Sequence, residues 1–125
     1  MSDEIPAGLR RAEREIAAAR SLAGNGFAAQ AVSRAYYACF YAAEMALLAL
    51  GETRSKHSGV ISAFSRLVVK EGGVDPDMAR ILRSLFEDRN EADYELVEPP
   101  TGEVDEAIDD AERFVAAVRE WLERR

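Results

Sequence analysis

Apolar residues recur along this chain at intervals of three and four, the spacing that puts side chains on one face of an α-helix. From about residue 7, Leu9, Ala12, Ile16, Ala19 and Ala23 form such a stripe, and Gly24-Asn25-Gly26 ends it with residues suited to a left-handed cap. A second segment, about Phe27 to Leu50, is alanine-rich and apolar almost all round, so it is expected to be the central, most buried helix, closed by Gly51. Val60, Ile61, Phe64, Leu67 and Val68 mark a third, stopping at Gly72-Gly73. Asp75-Pro76-Asp77 opens a fourth, with Asp75 as N-cap and Pro76 at the first helical position. Pro99-Pro100 interrupts it, and from about Glu103 a fifth carries Val104, Ile108, Ala111, Val115, Val118 and Leu122, widened by Phe114 and Trp121. The pattern predicts five helices, no strand, and one up-down bundle spanning residues 1–125.

The fourth stripe does not end in an apolar residue. Met78, Leu82, Leu85, Arg89 and Ala92 share its face, which places an arginine where the others meet the core. Such a cation must find an anion, lie in an interface, or line a groove where a ligand brings the anion. Arg89 and Asp93 are four apart and can pair along the helix, as can Asn90 and Tyr94. One reading is an Arg–Asp pair that orders a helix end. The other is a cleft in which Arg89 binds phosphate while Asn90 and Tyr94 add hydrogen bonds.

A net charge of −7 argues against a general nucleic-acid coat, but the charge is uneven. Residues 98–110 hold Glu98, Glu103, Asp105, Glu106, Asp109 and Asp110 with no base, whereas residues 9–34 hold Arg10, Arg11, Arg14, Arg20 and Arg34 against Glu13 and Glu15. A local basic surface on an acidic protein is compatible with that distribution. Hydrophobic residues make up 48% of the 125, enough for a core without staples. No apolar run reaches the roughly 18 residues of a membrane span, and the acidic start lacks a secretion-signal layout. A single cysteine, Cys39, rules out an internal disulfide framework and reads as a small core residue of a cytoplasmic protein.

On the second helix, Tyr36, Phe40 and Leu47 lie on one side, and Arg34, Tyr37 and Tyr41 along another; Ser33 and Tyr37 are placed to share a polar patch. These aromatics read either as a core set with hydroxyls reaching outward or as a wall that stacks a base. The only histidine, His57, opens the third helix and reads as a capping or surface residue; one histidine without acids at ligand spacing makes no metal site. Phosphate loops, GxSxG elbows and CxxC pairs are absent, so neither metal nor cofactor is expected.

Taken together, Ser33-Arg34-Ala35-Tyr36-Tyr37-Ala38, then Phe40-Tyr41-Ala42-Ala43, Lys56-His57-Ser58-Gly59-Val60, and Arg89 with Ala92-Asp93-Tyr94 resemble HEPN-domain proteins, in particular their small stand-alone branch. The resemblance implies a five-helix bundle, commonly homodimeric, that works with a minimal nucleotidyltransferase, as a toxin–antitoxin pair or as its substrate-binding partner. One reading sets Arg89, Asn90, Tyr94, Arg34 and Tyr37 along a dimer groove that holds a nucleotide or RNA, or docks the transferase, with Asp93 and Ser33 as further ligand-binding candidates. Active HEPN ribonucleases carry an arginine, a polar residue and, after four to six intervening positions, a histidine. Arg89-Asn90 match the first half, but Tyr94 and Leu96 stand where the histidine belongs. Cleavage through the 2′-hydroxyl needs a group that titrates near neutrality, which tyrosine, with a pKa of about 10, does poorly. Binding without efficient catalysis is therefore the leading expectation. A metal-independent endoribonuclease using Arg89 with His57 or Tyr94 is the alternative, and a ligand-free dimeric adaptor a further one. Tyr94 is also a candidate acceptor of nucleotidyl groups, by likeness to related HEPN toxins.

Overall fold

A computed structural model describes residues 3–94 and 98–125. Five helices make up the fold, and no strand occurs among the described residues: α1 (Glu4–Gly24), α2 (Ala28–Ala49), α3 (His57–Ala63, continuing as a π-helical segment Phe64–Lys70), α4 (Asp77–Tyr94) and α5 (Thr101–Glu123). Contacts between elements fix the relative directions of α1, α2 and α5. Gly8 of α1 meets Met45 of α2, and Glu15 of α1 meets Arg34 of α2, so α1 and α2 run antiparallel. Arg20 pairs with Asp109 and Glu112, and Glu13 with Arg119, which sets α5 antiparallel to α1. The Tyr36 and Phe86 rings, tilted 53° with centroids 5.6 Å apart, bring α4 against α2. The bundle is thus the one that the stripes predicted.

Helix α2 touches every other element, and its small residues explain how. Ala31, Ala35, Ala38, Ala42, Ala43 and Ala46 are fully buried, so neighbouring backbones approach closely without large cavities. Gly8 extends that seam into α1, where a Cβ would stand 2.2 Å from the Met45 sulfur. Cys39 lies in the same core at 0% exposure, and burial pushes its thiol well up, which leaves it inert as a nucleophile.

Several boundaries move by a residue or a turn. Helix α1 begins three residues before the stripe because Pro6 falls in the first turn, where its missing N–H has no intrahelical partner to lose. Helix α5 starts directly after Pro100 rather than at Glu103. Asp75 does accept a hydrogen bond from the Asp77 amide (2.9 Å), but regular α geometry starts at Asp77, not Pro76. Gly26 and Gly73, at the two double-glycine stops, take positive φ of 84° and 85°, as left-handed caps require. The widened turn Phe64–Lys70 was not expected; the Trp121 indole of α5 donates to the Gly72 carbonyl (2.9 Å) just beyond it.

Candidate anion site around Arg89

The side chains that share the Arg89 stripe, Met78, Leu82, Leu85 and Ala92, are all buried. Arg89 follows them inward, with its side chain only 12% exposed. Three aromatic rings receive it: its Cζ lies 5.2 Å from the Tyr36 centroid, 5.5 Å from Tyr37 and 5.9 Å from Phe86. Such contacts contribute roughly 0.5–2 kcal/mol apiece when desolvated, but they satisfy no N–H group. The Arg89 Nε is buried and has no hydrogen-bond partner among the described residues. Its ion pair with Asp93 is long, 3.6 Å from Nη1 to Oδ2, so that carboxylate neutralises the charge without making a close hydrogen bond. A planar cation with donors unspent, held rigidly on ring faces, is well suited to an incoming phosphate.

Sequence spacing placed His57 on the surface or at a cap. Folding instead carries it to the same ring that holds Arg89. Its Nδ1 lies 2.7 Å from the Tyr36 hydroxyl, and its ring stacks on Phe40 at 4.2 Å and stands edge-on to Tyr37 at 5.9 Å. The Tyr36 centroid is 5.7 Å from the His57 ring and 5.2 Å from the Arg89 guanidinium. One imidazole nitrogen is thereby fixed, and Nε2 is left for a ligand. Burial lowers the His57 pKa, and the positive charge of Arg89 lowers it further. Burial also holds the Tyr36 phenol far above its ordinary range, although Arg89 opposes this. Near neutral pH the site therefore presents one permanent cation, one neutral imidazole and a protonated phenol.

A prediction follows from the His57 surroundings. Because the chain has one histidine, its imidazole signal can be followed without ambiguity through a pH titration. The midpoint is expected below the ordinary value of about 6.5. Arg89→Met should move it upward, though not fully back, since burial remains. The unfolded chain takes this proton first, so the stability tied to neutral His57 is complete above about pH 6.5 and is lost as pH falls toward the folded midpoint. A midpoint at or above 6.5 in the native protein would contradict the geometry.

The other expected site residues divide. Arg34 joins the cluster through Tyr37, with its Cζ 5.0 Å over that ring, and Asp93 joins through Arg89. Tyr94 is 76% exposed, and among the described residues no hydrogen bond links it to Asn90, or Ser33 to Tyr37. Leu96 lies outside the described residues. Of the rings around Arg89 and His57, Tyr36 and Phe40 belong to the aromatic set for which spacing allows a core or a stacking role, and Phe86 is one that spacing does not single out. No group of three or more histidine, cysteine or acidic side chains suited to a metal ion occurs among the described residues. Nor is any described helix long and apolar enough to cross a membrane.

Comparison with known proteins finds relatives of the whole chain. A protein of Thermotoga maritima named as a UPF0332 protein is 41% identical over 115 residues, covering 91% of this chain and 87% of its own. A Methanocaldococcus jannaschii protein named "Putative toxin MJ0605" is 36% identical over 120 residues, 96% of this chain and 90% of that one. A second protein of that organism, "Putative toxin MJ0142", shares 31% identity over 87 residues, 70% of this chain and 59% of its own. The model of the HEPN domain family matches residues 6–121, nearly the whole bundle that carries Arg89 and His57, and the chain belongs to that family.

Proposed function

We propose that this protein is a toxin-like HEPN component that binds RNA or a nucleotide through Arg89, acting as a homodimer beside a minimal nucleotidyltransferase. The observation that carries the binding reading is the buried, unpartnered Nε of Arg89 on three aromatic faces. A phosphate would supply the acceptors that the fold withholds. The toxin names of the two Methanocaldococcus relatives support a role within a paired system. The acidic face of α4 and α5, with Asp88, Glu91 and Glu103 around a shallow groove, suits a basic partner surface.

A second reading, metal-independent cleavage of RNA, is favoured by one specific finding. His57 shares the Tyr36 ring with Arg89 and so stands in for the motif histidine that Tyr94 replaces. In that reading neutral His57 Nε2 takes the 2′-hydroxyl proton as that oxygen attacks phosphorus, while Arg89 holds the phosphate. The P–O5′ bond breaks with the leaving 5′-oxygen protonated by solvent, which leaves a 2′,3′-cyclic phosphate. Tyr94, exposed at the end of α4, fits the role of nucleotidyl acceptor better than that of proton carrier.

The test is to incubate purified protein with mixed single-stranded RNA in excess chelator. The binding reading expects RNA retained at intact length and released by salt. Cleavage that persists in chelator and disappears in His57→Gln would replace it with the nuclease reading. Failure to retain either RNA or nucleotide would overturn both.

A further inference from the structure

Asp93 sits where a carboxylate does little for the fold. It lies in the last turn of α4, which ends at Tyr94, and there the helix dipole favours cations rather than anions. Its order with Arg89, base first and acid four residues later, is the weaker arrangement for a helical pair. The contact is 3.6 Å long, beyond hydrogen-bond distance. At the other end of α4, Asp77 forms the pair expected of a structural carboxylate, with Arg80 at 2.6 Å and Arg113 at 3.0 Å. Helix stability therefore does not explain Asp93.

The charge balance in the cage of rings around Arg89 gives it a role. His57 is neutral near pH 7 and Tyr36 keeps its proton, so an incoming phosphate meets the charge of Arg89. Arg34 also sits on a ring of the cage, over Tyr37, but the buried carboxylate of Glu15 holds it at 3.1 and 3.3 Å. Toward α5 the surface turns negative. Asp88 lines a groove with Glu91 and Glu103, and its carboxyl is held above the ordinary range by burial and by those two acids. A phosphate on Arg89 therefore shares one cation with Asp93. Asp93 cannot withdraw far, because side chains four apart on a helix stay neighbours. Toward a ligand the pair is close to neutral, so the larger desolvation cost of a dianion is not offset, and repulsion from Asp93 grows with each added charge.

Resting on the reading of Arg89 as an anion site, we propose that Asp93 is the charge filter of that site: it admits a singly charged phosphodiester and turns away a doubly charged phosphate monoester. The probes are adenosine 5′-monophosphate and its phosphate methyl ester, which share base and sugar and differ by one methyl group and one charge. At pH 8 the monophosphate is a dianion, since its second pKa is about 6, and the ester is a monoanion. Binding is read from the signal of the single histidine, His57. The variant is Asp93→Asn, which keeps the shape of the side chain and removes its charge.

Wild-type protein should bind the ester more tightly than the monophosphate, by about tenfold. Asp93→Asn should tighten both, the monophosphate about tenfold more than the ester, so that the preference disappears. Glu91→Gln removes an equal charge from the neighbouring face of α4 and should change the ratio of the two affinities by less than about twofold. The denaturation midpoint of Asp93→Asn should match that of wild type; a clear drop would return the pair to a structural role and overturn the filter. The filter is equally overturned if wild type binds the monophosphate as tightly as the ester, or if Asp93→Asn leaves the ratio unchanged. Weaker binding of both ligands by Asp93→Asn would also overturn it, by making Asp93 a residue that positions Arg89. A His57 signal that responds to neither ligand, or that responds equally in Arg89→Met, would instead remove the Arg89 reading itself, a separate and recognisable failure.

Discussion

Arg89→Met is expected to weaken RNA binding by about 2–4 kcal/mol, roughly 30- to 800-fold, while leaving the fold as stable as before. Methionine keeps an unbranched stem against Tyr36, Tyr37 and Phe86 but removes every donor offered to a phosphate. The unusual half of this expectation concerns stability. In the free protein the Arg89 Nε is buried without a partner among the described residues, and its Asp93 contact is 3.6 Å long. Removing such a group forfeits the cation–π contacts but relieves the unmet donor and the desolvated charge, terms of similar size and opposite sign, so the net change is expected to stay within about 1 kcal/mol. Denaturant midpoints of the two proteins, compared at equal slope, check this directly. A loss of about 3–5 kcal/mol would be the signature of a broken structural ion pair and would remove the argument that Arg89 is held in reserve for a ligand.

The second large effect runs the opposite way. Phe114→Ala should cost about 3–5 kcal/mol of stability, because Phe114 and Phe64 are fully buried with centroids 5.0 Å apart and truncation leaves a cavity beside Phe64. RNA affinity of the folded protein should not change. The adjacent Arg113 pairs with Asp77, at the start of α4, and the 12 residues from there to Arg89 correspond to about 18 Å of helix. Thermal unfolding and a binding isotherm at low temperature give the two numbers. Equal loss of affinity would mean that the site depends on the whole core rather than on its local cage. The pair of variants thus separates what holds the bundle from what waits in it.

How much of this was visible beforehand depends on the range of the contact. Stripes at three- and four-residue spacing encode which face of a helix is buried, so Leu9, Ile16, Leu85 and Val118 could be placed in the core without a structure. The same logic singled out Arg89, because a charge on an apolar stripe conflicts with its neighbours. His57 was invisible to it. Nothing within α3 reveals that its first residue will reach Tyr36, which lies 21 positions earlier on another helix. For the same reason spacing leaves Tyr36 between a core and a stacking role and does not reveal the partner of its hydroxyl. Tyr94 stands out because it occupies a motif position, yet a position in a motif does not fix exposure; at the end of α4 it lies mostly in solvent. The π-helical turn at Phe64–Lys70 also escaped, since apolar spacing barely distinguishes it from an α-helix.

The most direct test of the central claim is the His57 imidazole resonance, followed at constant pH while single-stranded RNA is added to wild-type protein and to Arg89→Met. A phosphate seated on Arg89 adds negative charge close to His57. The wild-type signal should then shift saturably, with the midpoint of its pH titration rising in the complex, and the variant should show neither change at the same concentrations. A His57 signal that stays fixed while RNA binding saturates would place the ligand elsewhere and contradict the assignment of this cage as the site.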